Sequence, residues 1–433
     1  MKTATSRQIK LFALAMLITG SIDSIRNLPT TALFGTTLIF FFIFAAIVFL
    51  IPTALVSAEL SSTFPEESGI YPWVKNAFGE KLAFIAIWLQ WINTMVWYPT
   101  ILSFVAGTAA YLVNPQLAQN KFYLVPVILG TFWTMTLVNL RGFRTSADFA
   151  SICAVIGMVI PMILIIGLAI LWVCQGHPIQ IHFTTSNLLP TFDHSESWIA
   201  LTAMMASFLG MELATAHVND VHHPQKTFPR AMLISVTFIL VTMILGSLAI
   251  AFVLPKDQIN LVAGIMQAFV NFFDVYHLTW MIPIITIMIL IGSIGGMTNW
   301  IISPAKGLLQ AAQSGHLPKY FCKKNKHGVA SRLLITQAII VSLVCLVFLL
   351  MPSINGSYWL LADLSTQLYI LMYVLIFLAA IAIRYKYVNK PTLFKIPGGN
   401  FGMWAVGILG LIGSVITLIV GFFPPGNIDV VGS

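Results

Sequence analysis

The 433-residue chain is 58% hydrophobic and only 8% charged, where an ordinary soluble domain carries about 25% charged residues. Its mean hydropathy is +0.91, and runs of about 20 apolar residues, the length that crosses a hydrocarbon core, recur along almost the whole sequence. This composition excludes a soluble catalytic or nucleic-acid-binding domain of useful size, and residues 1–433 read as one all-α domain set in the lipid bilayer.

Lipid offers backbone groups no water, so uniformly apolar runs mean helices; barrel strands would alternate every second residue. About eleven spans are expected, near residues 9–29, 34–60, 82–113, 122–140, 147–174, 198–219, 229–254, 278–305, 333–352, 358–383 and 402–422. The first begins like a secretory leader, with Lys2, Arg7 and Lys10 before "LFALAMLI", but no small-residue cleavage pattern follows and the segment is expected to be retained. Between the second and third spans, "FPEESGIYPWVKNAFGEK" is expected to lie as a short amphipathic helix on the cytoplasmic side, with Glu66 and Glu67 as loop charges. A cytoplasmic N-terminus puts the 22 basic residues on that side except Lys121, Lys256 and, within the first span, Arg26. This is the positive-inside bias of a multi-pass protein, and it accounts for the net charge of +8 without nucleic acid. The C-terminal "PPGNIDVVGS" then falls outside.

Two spans carry polar interruptions, the first at "GSIDSIRNLP" and the sixth at "SFLGMELATAH". Each opens a set of five helices, residues 9–174 and 198–383, with an additional helix at 402–422. Interrupted segments at matching places in two halves point to an inverted-repeat transporter with its substrate at the membrane midplane. An unwound turn frees N–H groups at the start of one half-helix and C=O groups at the end of another, so a carboxylate and an ammonium find partners in one cavity. That suits an amino acid. Gly20 and Gly210 alone would equally serve close helix packing. The ionisable Asp23, Arg26 and Glu212 beside them favour a site, because charges inside a membrane are costly and face a partner or water. Asp23 and Arg26, three residues apart, are expected to pair along the pathway; otherwise Arg26 snorkels to an interface or holds a carboxylate. Glu212 is expected to be neutral and hydrogen-bonded, or ionised as counter-charge to Arg26 or to a substrate ammonium.

No phosphate-cradling loop, metal-ligand cluster or nucleophile with an adjacent base is present, so neither an enzyme nor a cofactor is expected. Cys153, Cys174, Cys322 and Cys345 lack metal-ligand spacing and read as packing residues. His217, His222 and His223 read as loop residues at the cytoplasmic end of the sixth span.

The quoted motifs, together with "NWIISPAKGLLQAAQSGHLPKYF" in the eighth span and "KIPGG" before the last, resemble the amino acid/polyamine/organocation superfamily, and within it the bacterial glutamate/GABA antiporter group. The resemblance covers essentially the whole chain. It implies the leucine-transporter fold, twelve helices with two inverted five-helix repeats, and alternating access; the twelfth helix is absent from this sequence. It also implies that substrate meets Ile22, Asp23 and Ser24 in the first unwound turn and Ser207 to Gly210 in the second, with Phe208 as a gating ring. Glu212, Trp300, Tyr369 and Tyr373 match residues of the antiporter site. Three departures bear on the substrate: Gly296 stands where the group has an acid, Arg26 where it has a tyrosine, and Asp23 where a small or neutral residue is usual. Antiport and proton symport of an amino acid both remain open, and a channel or a non-transporting sensor subunit is the rival class.

Overall fold

The computed structural model describes residues 11–64, 69–142, 152–153, 155–184, 188–190, 195–212 and 223–423. Helices joined by turns and loops make up these residues, with no strand among them. Eight helices among them are long and apolar enough to cross a membrane. The expected first and sixth spans are interrupted, as their polar residues suggested, and the eighth contains the shorter apolar helix Thr279–Gly295.

In chain order, α1 (Leu11–Ile22) stops at the first interruption, and after one 3-10 turn α2 (Leu28–Ala32) resumes with Pro29 in its first turn. Proline fits there because its missing N–H would have had no helical partner. The second span is α3 (Leu38–Ala45) and α4 (Ile51–Thr63), joined by a π turn at Ala46–Leu50. Next, α5 (Ile70–Phe78) is the expected amphipathic helix, burying Ile70, Tyr71, Trp73 and Val74. The spans α6 (Glu80–Ala109), α7 (Lys121–Leu140) and α8 (Ile160–Cys174) follow.

The second half begins with α9 (Ser195–Ala206), which ends at the second interruption, and continues with α10 (Pro224–Val253). Hydropathy had not singled out α11 (Gly264–Val275), too short to span, whose buried Phe269, Phe272 and Phe273 join the core beside α10. Then come α12 (Ile282–Gln313), α13 (Ser331–Val344), α14 (Val347–Leu350), α15 (Ile354–Lys386) and α16 (Gly399–Val420).

Two contacts place the elements around the site. The π turn before α8 crosses α12 at Gly157 and Gly292, whose backbones approach so closely that a Cβ on either would collide with the other. Small residues allow such crossings in lipid, where packing replaces the hydrophobic drive. On the basic side, Glu59 of α4 forms an ion pair with Arg384 of α15. Its second oxygen accepts the Ile396 N–H at 2.7 Å, and Arg384 also donates to the Gly399 carbonyl at 2.8 Å. Ser62 adds a bond to the Phe394 carbonyl at 2.9 Å. The "KIPGG" loop is therefore stitched to α4 and α15 through one buried charge pair.

Removing one partner of such a pair leaves an uncompensated buried charge, worth roughly 3–5 kcal/mol. Arg384→Ala should therefore lower Tm sharply, and adding Glu59→Gln should recover part of the loss. Thermal unfolding of both single variants and the double variant checks this, and strictly additive losses would mean that the pair is not coupled.

Candidate functional site

The first interruption forms where the sequence stops favouring a helix. Asp23 N–H still reaches back to the Thr19 carbonyl at 2.8 Å, but Ser24 is extended, with φ −147° and ψ 113°. The second lies beyond α9, where Ser207 and Phe208 donate to the carbonyls of Met204 and Met205 in a tightened last turn. Gly210 has φ +107°, a conformation that a side chain would strain.

An N–H freed within a membrane needs a partner. That of Gly210 donates to the Tyr373 hydroxyl at 3.3 Å. Tyr373 in turn donates to one oxygen of Glu212, and Tyr369, one turn earlier on α15, donates to the other. All three side chains are buried. Phe49 and Phe377 pack on the Tyr373 ring at 5.0 and 6.4 Å between centroids. Glu212 thus ties the second interruption to α15 through two hydroxyls.

Between the two interruptions lies a cavity of about 220 Å³. Ile22, Asp23, Ser24, Arg26, Gly210 and Tyr369 line it. Ser207, Phe208, Glu212 and Tyr373 are not among its lining residues. The Ser207 hydroxyl turns back to the Ala203 carbonyl at 2.9 Å, and Phe208 packs on Phe42 with centroids 5.7 Å apart. Glu212 reaches the cavity only through Tyr369, and the residues His217 and His222, like Glu66 and Glu67, lie outside the described residues. So does the side chain of Trp300.

The expected pairing of Asp23 with Arg26 is not formed. Asp23 accepts from the Thr242 hydroxyl of α10 at 3.0 Å, and its buried Oδ1 has no hydrogen-bond partner among the described residues. Arg26 turns the other way, donating to the Thr100 hydroxyl of α6 at 3.2 Å with its guanidinium 5.5 Å from the centre of the Trp97 ring. A three-residue separation brings two side chains together only on a helix, and the extended Ser24 lies between them. Arg26 makes no ion pair with Glu212 either, whose described partners are the two tyrosines. Gly20 also departs from the packing reading: a Cβ there would meet nothing within 4 Å, and the residue lines the cavity.

Apart from Tyr369, sequence reasoning missed the wall that α6 and α15 supply. Asn93, Trp97, Thr100 and Phe104 line the cavity from α6, and Ala362, Ser365, Thr366 and Tyr369 from α15. Both sets recur at three- and four-residue spacing, one helix face in each case, and that polar periodicity within apolar runs was the available signal. The Ser365 hydroxyl donates to Asn93 Oδ1, joining the two walls. Thr94, Thr100, Ser293 and Thr366 donate to the Trp91, Trp97, Ile289 and Ala362 carbonyls of their own helices, at 2.6 to 2.9 Å. With their protons so committed, these hydroxyls can only accept from a ligand. The polar side-chain donors left uncommitted on the described wall are Arg26, Asn27, Asn93 through its amide nitrogen, and Ser24.

The three-way contact at Glu212 predicts a stability effect before a binding effect. Glu212→Gln replaces an acceptor pair by one acceptor and one donor, so one tyrosine O–H loses its acceptor, a cost of about 1–3 kcal/mol. Tm should fall, while the half-saturation constant for substrate should change less than it does in Arg26→Gln. A Glu212→Gln protein with unaltered Tm and weakened binding would put Glu212 in direct contact with the ligand.

Comparison with known proteins bears on the family and the fold. The model of a family described as amino acid permease matches residues 9–433. An uncharacterised transporter of Legionella pneumophila is 41% identical over 426 residues, covering 98% of this chain and 92% of the relative. A glutamate/gamma-aminobutyrate antiporter of Lactococcus lactis is 30% identical over 429 residues, 98% of this chain and 85% of the relative. A probable agmatine/putrescine antiporter of the same species is 24% identical, over 92% of this chain and 84% of the relative. The crystal structure of MhsT in complex with L-phenylalanine superposes with a TM-score of 0.61 at 14% identity, over 94% of this chain and 97% of that one. The architecture is the leucine-transporter-like fold.

Proposed function

The chain belongs to the amino acid permease family, and from that premise we propose that it exchanges amino acids across a bacterial inner membrane by alternating access, with its N-terminus in the cytoplasm. The orientation is supported by the basic bias of one set of loops. Exchange is supported by the antiporters among its relatives.

The observation that carries the reading is the pair of opposite charges in one cavity, held apart by α6 and α10. Arg26 offers its remaining N–H groups to a substrate carboxylate, a planar fork matched to a planar acceptor. Asp23, fixed by Thr242, offers an unpartnered oxygen to the ammonium. Asn93 lies seven residues from Thr100 on α6, about 10 Å along the helix, and its amide meets the polar end of the substrate remote from Arg26. Proton symport is the second reading, and the unpartnered Asp23 oxygen beside the pathway favours it.

Proteoliposomes loaded with or without amino acid separate the two. Exchange gives uptake of labelled glutamate that needs internal substrate, whereas symport gives uptake driven by an inward proton gradient into empty vesicles. Hydrogen bonds to a charged group are worth about 1.5–3 kcal/mol, so Arg26→Gln should raise the half-saturation constant roughly ten- to a hundredfold, and Asn93→Ala should raise it by less. Uptake indifferent to both changes would remove the cavity from the transport path.

A further inference from the structure

The last carbonyls of a helix have no partner within it, and at the end of α7 a distant loop supplies one. Asn325 donates through Nδ2 to the Leu140 carbonyl at 2.6 Å. Its Oδ1 accepts the N–H groups of His327 and Val329 at 3.0 and 3.1 Å. Gly142, with φ +79°, seats itself against His327, where a Cβ would come within 3.0 Å of the histidine Cβ. One side chain therefore holds the loop carrying Lys326 and His327 against the end of α7.

The result is an open cleft lined by Leu137, Leu140, Arg141, Asn325, Lys326 and His327. It combines apolar and cationic walls. Arg141, Lys326 and His327 are exposed, and none forms an ion pair with a described carboxylate. The apolar wall continues outward along α7, where Phe122, Pro126, Gly130, Thr134 and Leu137 are exposed at helical spacing. That is one exposed stripe along a helix long and apolar enough to cross a membrane, without a side chain at Gly130, and Arg141 extends it by four residues past Leu137.

We propose that this cleft binds an anionic phospholipid, its phosphate on Arg141, Lys326 and His327 and an acyl chain along the α7 stripe. The charges require an anion, and the continuous apolar stripe requires that the anion carry a hydrocarbon tail. A basic pocket at the helix ends recognises the phosphate, while the apolar stripe supplies the hydrophobic part of the fit.

The test uses the purified full chain in detergent, with Tm followed as phosphatidylglycerol or phosphatidylcholine of identical acyl chains is added, and with retained lipid identified by native mass spectrometry. Wild-type protein should retain phosphatidylglycerol in preference to phosphatidylcholine and be stabilised by it. The double change Arg141→Gln with Lys326→Gln should weaken that binding roughly thirtyfold, as expected for two cations near a membrane surface. Lys256→Gln, an exposed lysine beyond α10, should leave it unchanged. Equal stabilisation of the double variant and the wild type would overturn the proposal, and so would equal stabilisation by inorganic phosphate, which marks a site for the free anion. Should the double variant not fold, wild-type protein in about 1 M salt, where charges are screened within about 3 Å, should lose its preference for phosphatidylglycerol; a preference that persists there would equally overturn it.

Discussion

A helix cannot be interrupted inside a membrane unless the N–H and C=O groups it releases find other partners. At the second interruption, part of that need is met by Tyr373, whose hydroxyl accepts from Gly210 and donates to Glu212. The position of the tyrosine is fixed by α15, the longest described helix, so the unwound turn is held to a rigid element and not left to close on itself. Glu212 adds a second strand to the tether through Tyr369, which also lines the cavity. The acid in the middle of an apolar span is therefore structural in its contacts. It reaches the cavity by orienting a residue in the cavity wall.

The cavity follows from the interruptions. Where α1 ends, the extended Ser24 sends the side chains of Asp23 and Arg26 to different neighbours, the carboxylate to α10 and the guanidinium to α6. Had the turn stayed helical, the two would have neutralised each other across a single turn and left no net charge for a ligand. Their separation costs desolvation energy that the fold offsets only in part, with one hydroxyl on each. A substrate with both charges would complete both sets of contacts at once. The hydroxyls of Thr94, Thr100, Ser293 and Thr366 are committed to their own helices, which makes the wall acceptor-rich except at Ser24, Arg26 and the two asparagines.

Spans and interruptions were legible because both are set by local chemistry. Apolar length alone placed the spans matching Lys121–Leu140 and Gly399–Val420 within a few residues, and the polar insertions marked where α1 and α9 stop. Partnerships were not legible, because they depend on direction. Sequence distance suggested an Asp23–Arg26 pair, and one extended residue defeated it. Glu59 finds Arg384 across 325 positions, a separation that no spacing rule reaches. The α6 wall carried no charge to draw attention to it, although Asn93, Trp97 and Thr100 recur at helical spacing. Tyr369 and Tyr373 were legible as a pair on one face, but not as the two donors that share Glu212.

Alternating access requires that some contacts persist while others exchange, and the distribution of polar bonds divides the molecule in that way. The Glu59–Arg384 pair, with the Ile396 and Gly399 backbone, binds α4, α15 and the following loop into one unit on the basic side. The Gly157–Gly292 crossing makes a second unit of the π turn before α8 and α12. The first interruption is held instead by single charge-to-hydroxyl bonds, Arg26 to Thr100 of α6 and Asp23 to Thr242 of α10. A ligand that offers its own charged partner replaces such a bond with one at least as strong. These bonds can therefore break as one unit moves against the other, whereas the buried ion pair and the glycine crossing cannot without leaving an unpaired charge or a void. The first interruption is thus a place where binding and movement can be coupled, because its polar groups line the cavity and are each held by a single bond that a substrate can take over.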